Sequence, residues 1–162
     1  MSAAAGGGMP VPTLEPAFDV VVRLGPIEDH GVTRVGHRRV VPIVGGTVTA
    51  IDGSWNAEIL AGGADWQRVR ADGAIEIDGR YTARTADDEF VYLQVTGVRS
   101  GSPEVLEALL RGAAVPADGY YFRTAISIET ASPRLGALEH AVFVASCARD
   151  ADAVRYVAYR VT

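Results

Sequence analysis

The sequence predicts an all-β domain, an antiparallel sandwich or closed barrel, and three observations lead there. Gly25-Pro26, Gly45-Gly46, Asp52-Gly53, Gly62-Gly63, Asp72-Gly73, Asp87-Asp88 and Gly97 punctuate short β-rich runs at intervals that suit hairpins. Within the runs, apolar and polar residues alternate with the period of two expected of half-buried strands. Only one stretch has helical spacing, which argues against alternating β and α units.

In chain order, residues 1–16, MSAAAGGGMPVPTLEP, mix small residues, Gly and Pro without periodicity and read as a disordered tail before a single domain over 17–162. Strands are expected over 18–25, 37–51, 54–60, 66–70, 74–85, 89–98, 120–130, 140–147 and 153–161. Asp72-Gly73 between Arg70 and Ala74 marks a tight hairpin, because Asp and Gly tolerate the positive φ that such a reversal needs. Over 75–84, Ile75, Ile77, Gly79, Tyr81 and Ala83 share one face, and Glu76, Asp78, Arg80, Thr82 and Arg84 the other. Over 120–130, Tyr120, Phe122, Thr124, Ile126 and Ile128 oppose Tyr121, Arg123, Ala125, Ser127 and Glu129. Which face meets the lumen is left open at this point. One short α-helix is expected over 103–111, with Ser102 as N-cap, Pro103 at the first helical position and Gly112 past the end. Its apolar residues Val105, Leu106, Leu109 and Leu110 should lie against the sheet or close one end of it.

Composition narrows the function classes. With 162 residues, 48% of them hydrophobic, the chain can bury a core without metal or disulfide support. Twenty acidic against fifteen basic residues, a formal charge of −5, disfavour a phosphate-backbone binder, so no nucleic-acid partner is expected. No run approaches the ~18 apolar residues of a membrane span, and the start lacks the pattern of a secretory signal. A soluble, cytoplasmic protein without a membrane partner is therefore expected. A single Cys147 excludes an intramolecular disulfide, and its apolar surroundings read as those of a structural thiol. All fifteen basic residues are Arg, which rules out Lys as a base or Schiff-base former. The three His residues lack HxH or HExxH spacing, so no metal site is expected. No Walker loop, GxSxG elbow or strand-linked GxGxxG is present, and no cofactor is expected.

A series of short words, in order, is more specific than any one of them. They are Gly36-His37-Arg38-Arg39 leading to Gly45-Gly46, then Gly62-Gly63-Ala64-Asp65-Trp66-Gln67 and Asp72-Gly73. Ile77-Asp78-Gly79-Arg80-Tyr81-Thr82, Gly97-Val98-Arg99, Tyr121-Phe122-Arg123-Thr124, Ile128-Glu129-Thr130 and Phe143-Val144 complete the set. Over about 18–161 the chain resembles the bacterial family DUF3237, also called UPF0311. The resemblance implies a calycin-like antiparallel β-barrel of about eight strands, with the short helix as an addition, enclosing a pocket for a small organic ligand. One departure follows Arg134. Where the family carries an aromatic residue and then Leu-Asn, this chain reads Leu135-Gly136-Ala137-Leu138-Glu139-His140, which would alter specificity if it lined the pocket mouth.

Candidate site residues come from these words. Asp65 follows glycines that let the backbone approach a ligand, and its carboxylate is a candidate catalytic acid or base; the plainer reading is an Asx turn. Trp66 offers a stacking wall or, equally, a core plug. Arg123 and Glu129, candidate catalytic residues, share one strand face roughly 20 Å apart, so each needs a partner on another strand or is simply solvated. Arg39, Tyr81, Tyr121 and His140 are candidate substrate-binding residues. The resulting expectation is a cofactor-free enzyme acting on an apolar or aromatic metabolite in a non-redox step such as cyclisation, isomerisation or conjugate addition. A non-catalytic carrier barrel and a solidly packed structural barrel are the alternatives. A homodimer is the expected assembly.

Overall fold

The computed structural model describes residues 7–162, and the first six residues of the expected tail lie outside them. Ten strands form one sheet: β1 (Leu14–Leu24), β2 (Glu28–Thr33), β3 (Gly36–Ala50), β4 (Asn56–Ile59), β5 (Gly63–Val69), β6 (Ile75–Arg84), β7 (Phe90–Ser100), β8 (Tyr121–Thr130), β9 (Val142–Arg149) and β10 (Ala153–Val161). The helix α1 covers Pro103–Leu110, and 3-10 turns cover Ala117–Gly119 and Pro133–His140.

The sheet closes into an antiparallel barrel because β1 pairs with β10 on one side and with β3 on the other. From β6 to β10 the chain is a meander of consecutive antiparallel neighbours. Strands β4 and β5 share one place in the wall. β3 runs past both, with Thr47 opposite Glu58 and Ile43 opposite Gly63, and both then pair with β6. Eight positions therefore make up the barrel. β2 stands outside it as a ribbon on the first half of β3, with Glu28 opposite Val40 and Thr33 opposite Gly36.

Closure depends on Gly46. Its φ is +137°, and a Cβ there would sit 2.0 Å from the carbonyl oxygen of Val21 on β1. A side chain would hold β3 away from the strand that completes the ring.

The core is the inward face of each strand. At one end Phe18 stacks obliquely on Phe143 and Trp55, with ring centres 5.3 and 5.9 Å apart, and Leu135 from the second 3-10 turn fills in beside them. The helix α1 lies at the opposite end, by the β5–β6 and β9–β10 turns, with its Leu109 buried in the core. Ser102 caps this helix by accepting from the Val105 N–H at 3.2 Å, and Gly112 ends it at φ +78°.

Four expectations are corrected. Leu14, Glu15 and Pro16, assigned to the tail, belong to β1 because they pair with Val161, Arg160 and Tyr159. β2, EDHGVT, has no apolar alternation to announce it, and almost all of it is exposed. β5 begins at Gly63 rather than at residue 66. β7 and β9 each run two residues further than expected, to Ser100 and Arg149.

Candidate functional site

On β5, Asp65 and Gln67 point into the barrel while Trp66 between them points out, as strand alternation requires. Gly63 brings β5 close to β6, since a Cβ at that position would lie 2.5 Å from the Arg80 carbonyl oxygen. Across the ladder from Asp65 stands Gly79, whose missing side chain leaves part of a hollow open. Val41, Ile43, Ile77, Tyr81, Val95 and Phe122 supply apolar wall, and the half-buried Leu24 and Val154 mark the rim. The space between the side chains is about 480 Å³ out to its mouth, of which about 40 Å³ is wide enough for the centre of a water molecule.

Polar groups gather at the end of the hollow nearer α1. Asp65 accepts from Gln67 Nε2 at 2.8 Å and from the Asp78 backbone N–H at 2.9 Å. Burial raises its carboxyl above the ordinary range, opposed by those two hydrogen bonds and by the charge of Arg99. Arg99 and Arg149 line the hollow. Arg39 is buried beside Gln67, its partner across the β3–β5 ladder. Burial lowers the pKa of all three guanidinium groups, that of Arg99 to about 10, where the nearby Arg149 and Arg39 charges add to the effect.

These polar groups are unevenly satisfied. Arg149 donates to the Asp150 and Ala153 carbonyls, and its backbone N–H donates to the Tyr120 hydroxyl at 2.8 Å. By contrast, the Nε atoms of Arg39 and Arg99 and the Oε1 of Gln67 are buried and meet no partner among the described residues. Arg99 lies 5.3 Å from the centre of the Phe122 ring. Deeper in the hollow, the Tyr81 and Tyr156 hydroxyls share a short hydrogen bond, and burial raises both pKa values. Cys147 is 3.5 Å from the Thr124 hydroxyl, and burial pushes its thiol up to about 11, far from a reactive thiolate.

Comparison with known proteins decides the kinship, because residues 12–161 match the family described as protein of unknown function, DUF3237. The chain belongs to DUF3237. It is 39% identical over 145 residues to a UPF0311 protein of Bradyrhizobium diazoefficiens, a match covering 88% of this chain and 93% of that one. A conserved protein of unknown function from Rhodopseudomonas palustris superposes with a TM-score of 0.87 at 34% identity, covering 95% of this chain and 99% of that one. A β-barrel-like protein from Acinetobacter baumannii gives 0.82 at 38% identity, covering 97% and 100% of the two chains. A more distant chain from Penicillium herquei, described as an enzyme, gives 0.67 at 18% identity over 96% of this chain and 99% of that one. At that identity the likeness shows the fold alone.

Of the sequence candidates, the DUF3237 barrel brings Asp65, Arg39 and Tyr81 to its interior and leaves the rest outside. Arg123 and Glu129 are exposed, because β8 turns Phe122, Thr124, Ile126 and Ile128 inward and the intervening residues out. Arg123 donates to the Phe122 carbonyl at 3.0 Å and lies 5.6 Å from the ring centre of Tyr121, which is itself 55% exposed. Trp66 is 46% exposed on the outer face, where its carbonyl accepts from Arg38 at 2.9 Å. His140 is exposed at the end of the second 3-10 turn. The departing segment Leu135–His140 packs at the aromatic end and does not line the hollow, so the expectation that it shapes the mouth is corrected.

Sequence reasoning missed Gln67, Arg99, Arg149 and Tyr156. Arg99 continues the inward series Val91, Leu93 and Val95. Arg149 continues Phe143, Ala145 and Cys147. Extending those two strands at unchanged parity finds both.

Proposed function

We propose that this DUF3237 protein is a cofactor-free enzyme that takes an apolar or aromatic small metabolite into the α1 end of the barrel. There it catalyses a non-redox proton-transfer step, a cyclisation, isomerisation or conjugate addition. The observation behind the reading is a buried carboxylate, Asp65, facing a mostly apolar hollow in company with Arg99 and Arg149. A carboxyl whose pKa is raised by burial holds a proton more readily than an exposed one and is a candidate for proton exchange with a bound substrate. Guanidinium groups fixed in low-dielectric surroundings stabilise negative charge that develops on a substrate oxygen. They take the part that the sequence suggested for Arg123. Tyr81 and the apolar wall orient the reacting group, while the bulk of a polycyclic substrate stays at the mouth, because the interior space is narrow.

Deuterium exchange tests the reading. Phenolic and enone metabolites are incubated with the protein in deuterated buffer and followed by mass spectrometry. Protein-dependent exchange, or conversion to an isomer of equal mass, is expected with the native chain. It should fall at least ~100-fold in Asp65→Asn, in line with loss of general acid–base catalysis. Full activity of Asp65→Asn would remove Asp65 from the chemistry.

A second reading, a carrier barrel without chemistry, draws on one observation. Both Asp65 oxygens already accept hydrogen bonds from the protein, an arrangement that also suits a carboxylate holding β5 against β6. A carrier returns every bound metabolite chemically unchanged and without deuterium.

A further inference from the structure

We infer that the hollow selects a planar organic anion, a carboxylate or an equivalent group spreading one charge over two coplanar oxygens, with a hydrogen-bond donor beside it. The inference rests on the reading of the hollow as the binding site and names the class of molecule that it takes.

Charge makes the first argument. Arg99 and Arg149 line the hollow and Arg39 is buried near it, and among the described residues Asp65 is the one carboxylate that lines the hollow with them, its charge acting on all three. The acids nearest the outer arginines are engaged elsewhere. Asp29, near Arg39, is held by His37 at 2.7 Å on the β2 ribbon, and Asp150, beside Arg149, is held by Arg155 at 2.6 Å. Asp152 lies on the same β9–β10 turn, and Asp78 near Asp65 is bonded to Arg80. Tyr81, Tyr156 and Cys147 are neutral at pH 7, because burial raises each. Among the described residues the interior thus carries more guanidinium groups than its carboxylate, Asp65, can balance.

Unmet hydrogen bonds make the second. A buried guanidinium without an acceptor is costly, and a ligand that supplies the acceptor relieves that cost. The Nε of Arg99 is in that condition, on a residue only 5% exposed and lining the hollow, and the Nε of Arg39, buried but not part of that lining, is also without a partner. The planar fork of Arg fits two coplanar oxygens better than it fits a point charge. Gln67 calls for the neighbouring donor on the ligand. Its amide nitrogen is committed to Asp65, so its Oε1 is turned away and buried with nothing donating to it. A hydroxyl next to the anionic group would satisfy it. The apolar wall and narrow interior oppose a strongly hydrated tetrahedral dianion such as phosphate.

Isothermal titration calorimetry on the full chain with benzoate, salicylate, benzamide and inorganic phosphate examines this directly. Benzoate should bind at least ~10-fold tighter than its uncharged isostere benzamide, and salicylate tighter than benzoate. Arg99→Gln should weaken benzoate at least ~10-fold, and Arg99→Lys, which keeps the charge and loses the fork, should recover only part. Gln67→Leu should erase the advantage of salicylate and leave benzoate binding in place. Circular dichroism confirms that each variant is folded. If Arg99→Gln does not fold, the benzoate-to-benzamide ratio in the native chain decides alone. Equal binding of benzamide, tighter binding of phosphate, or unchanged binding in folded Arg99→Gln would overturn the inference. Anion binding without deuterium exchange would leave this inference standing and defeat the enzyme reading. Exchange on neutral metabolites with no preference for anions would do the reverse.

Discussion

Arg99 is held at a cost to the folded chain, buried, near two other guanidinium groups and with its Nε unmatched. Replacing it by methionine, similar in length and apolar, removes an unpaired buried charge. Arg99→Met should therefore stabilise the ligand-free protein by about 1 kcal/mol, a rise readable in urea unfolding, while abolishing benzoate binding. An unchanged or lowered stability would mean that Arg99 is satisfied in the native state. At this scale Asp65, Tyr81 and Arg39 were legible from the words they sit in, whereas Gln67 and Arg99 sit in such words and were still passed over. Tyr121, Arg123 and Glu129 sit in such words too, yet strand parity turns them outward. A motif records chemistry but not the side of the wall on which it falls.

The elements differ in how they are anchored, and one anchor is electrostatic. Glu89, between β6 and β7, accepts from the Ser132 hydroxyl and from Arg134 Nη2 at 2.6 Å, and so fastens the second 3-10 turn across the aromatic end. Hydrogen bonds from Arg134 and Ser132 hold its pKa at about 2, below the ordinary 4.5. A depressed folded-state pKa means that this contribution is fully present above about pH 4.5 and is lost as pH falls toward about 2. Glu89→Gln should flatten that part of the stability-against-pH curve relative to the native chain, as followed by urea melts at stepped pH. An identical slope would show the pair to be screened into insignificance. The elements read well from sequence where alternation was strong, as in β6, β8 and α1. They read poorly at strand ends, where Arg99 and Arg149 break an apolar series that the barrel nonetheless continues inward. β2 could not be read at all, since it buries almost nothing and exists because β3 offers it an edge.

Across the whole molecule, stability rests on closing the ring and filling one end. Gly46→Ala places a methyl group against the β1 backbone and requires an unfavourable positive φ, so a loss on the order of 2 kcal/mol or more is expected in chemical denaturation. Phe18→Ala empties the aromatic end, where Phe18 is fully buried against Trp55 and Phe143, and should cost about 3–5 kcal/mol. Because that end lies away from the polar cluster, benzoate affinity in whatever fraction remains folded should hardly change. The closed all-β architecture was legible because turn spacing and alternation are properties of the entire chain. The charge inside it was not, because it arises only when β3, β5, β7 and β9 are brought round to face one another.

The packed rings of Phe18, Trp55 and Phe143 also have a kinetic meaning. They seal the floor of the vessel, so on the reading proposed above a ligand that enters past Leu24 and Val154 must leave by the same doorway. Arrival and departure would then be mutually exclusive events, and a product that lingered between the arginines would exclude the next molecule competitively.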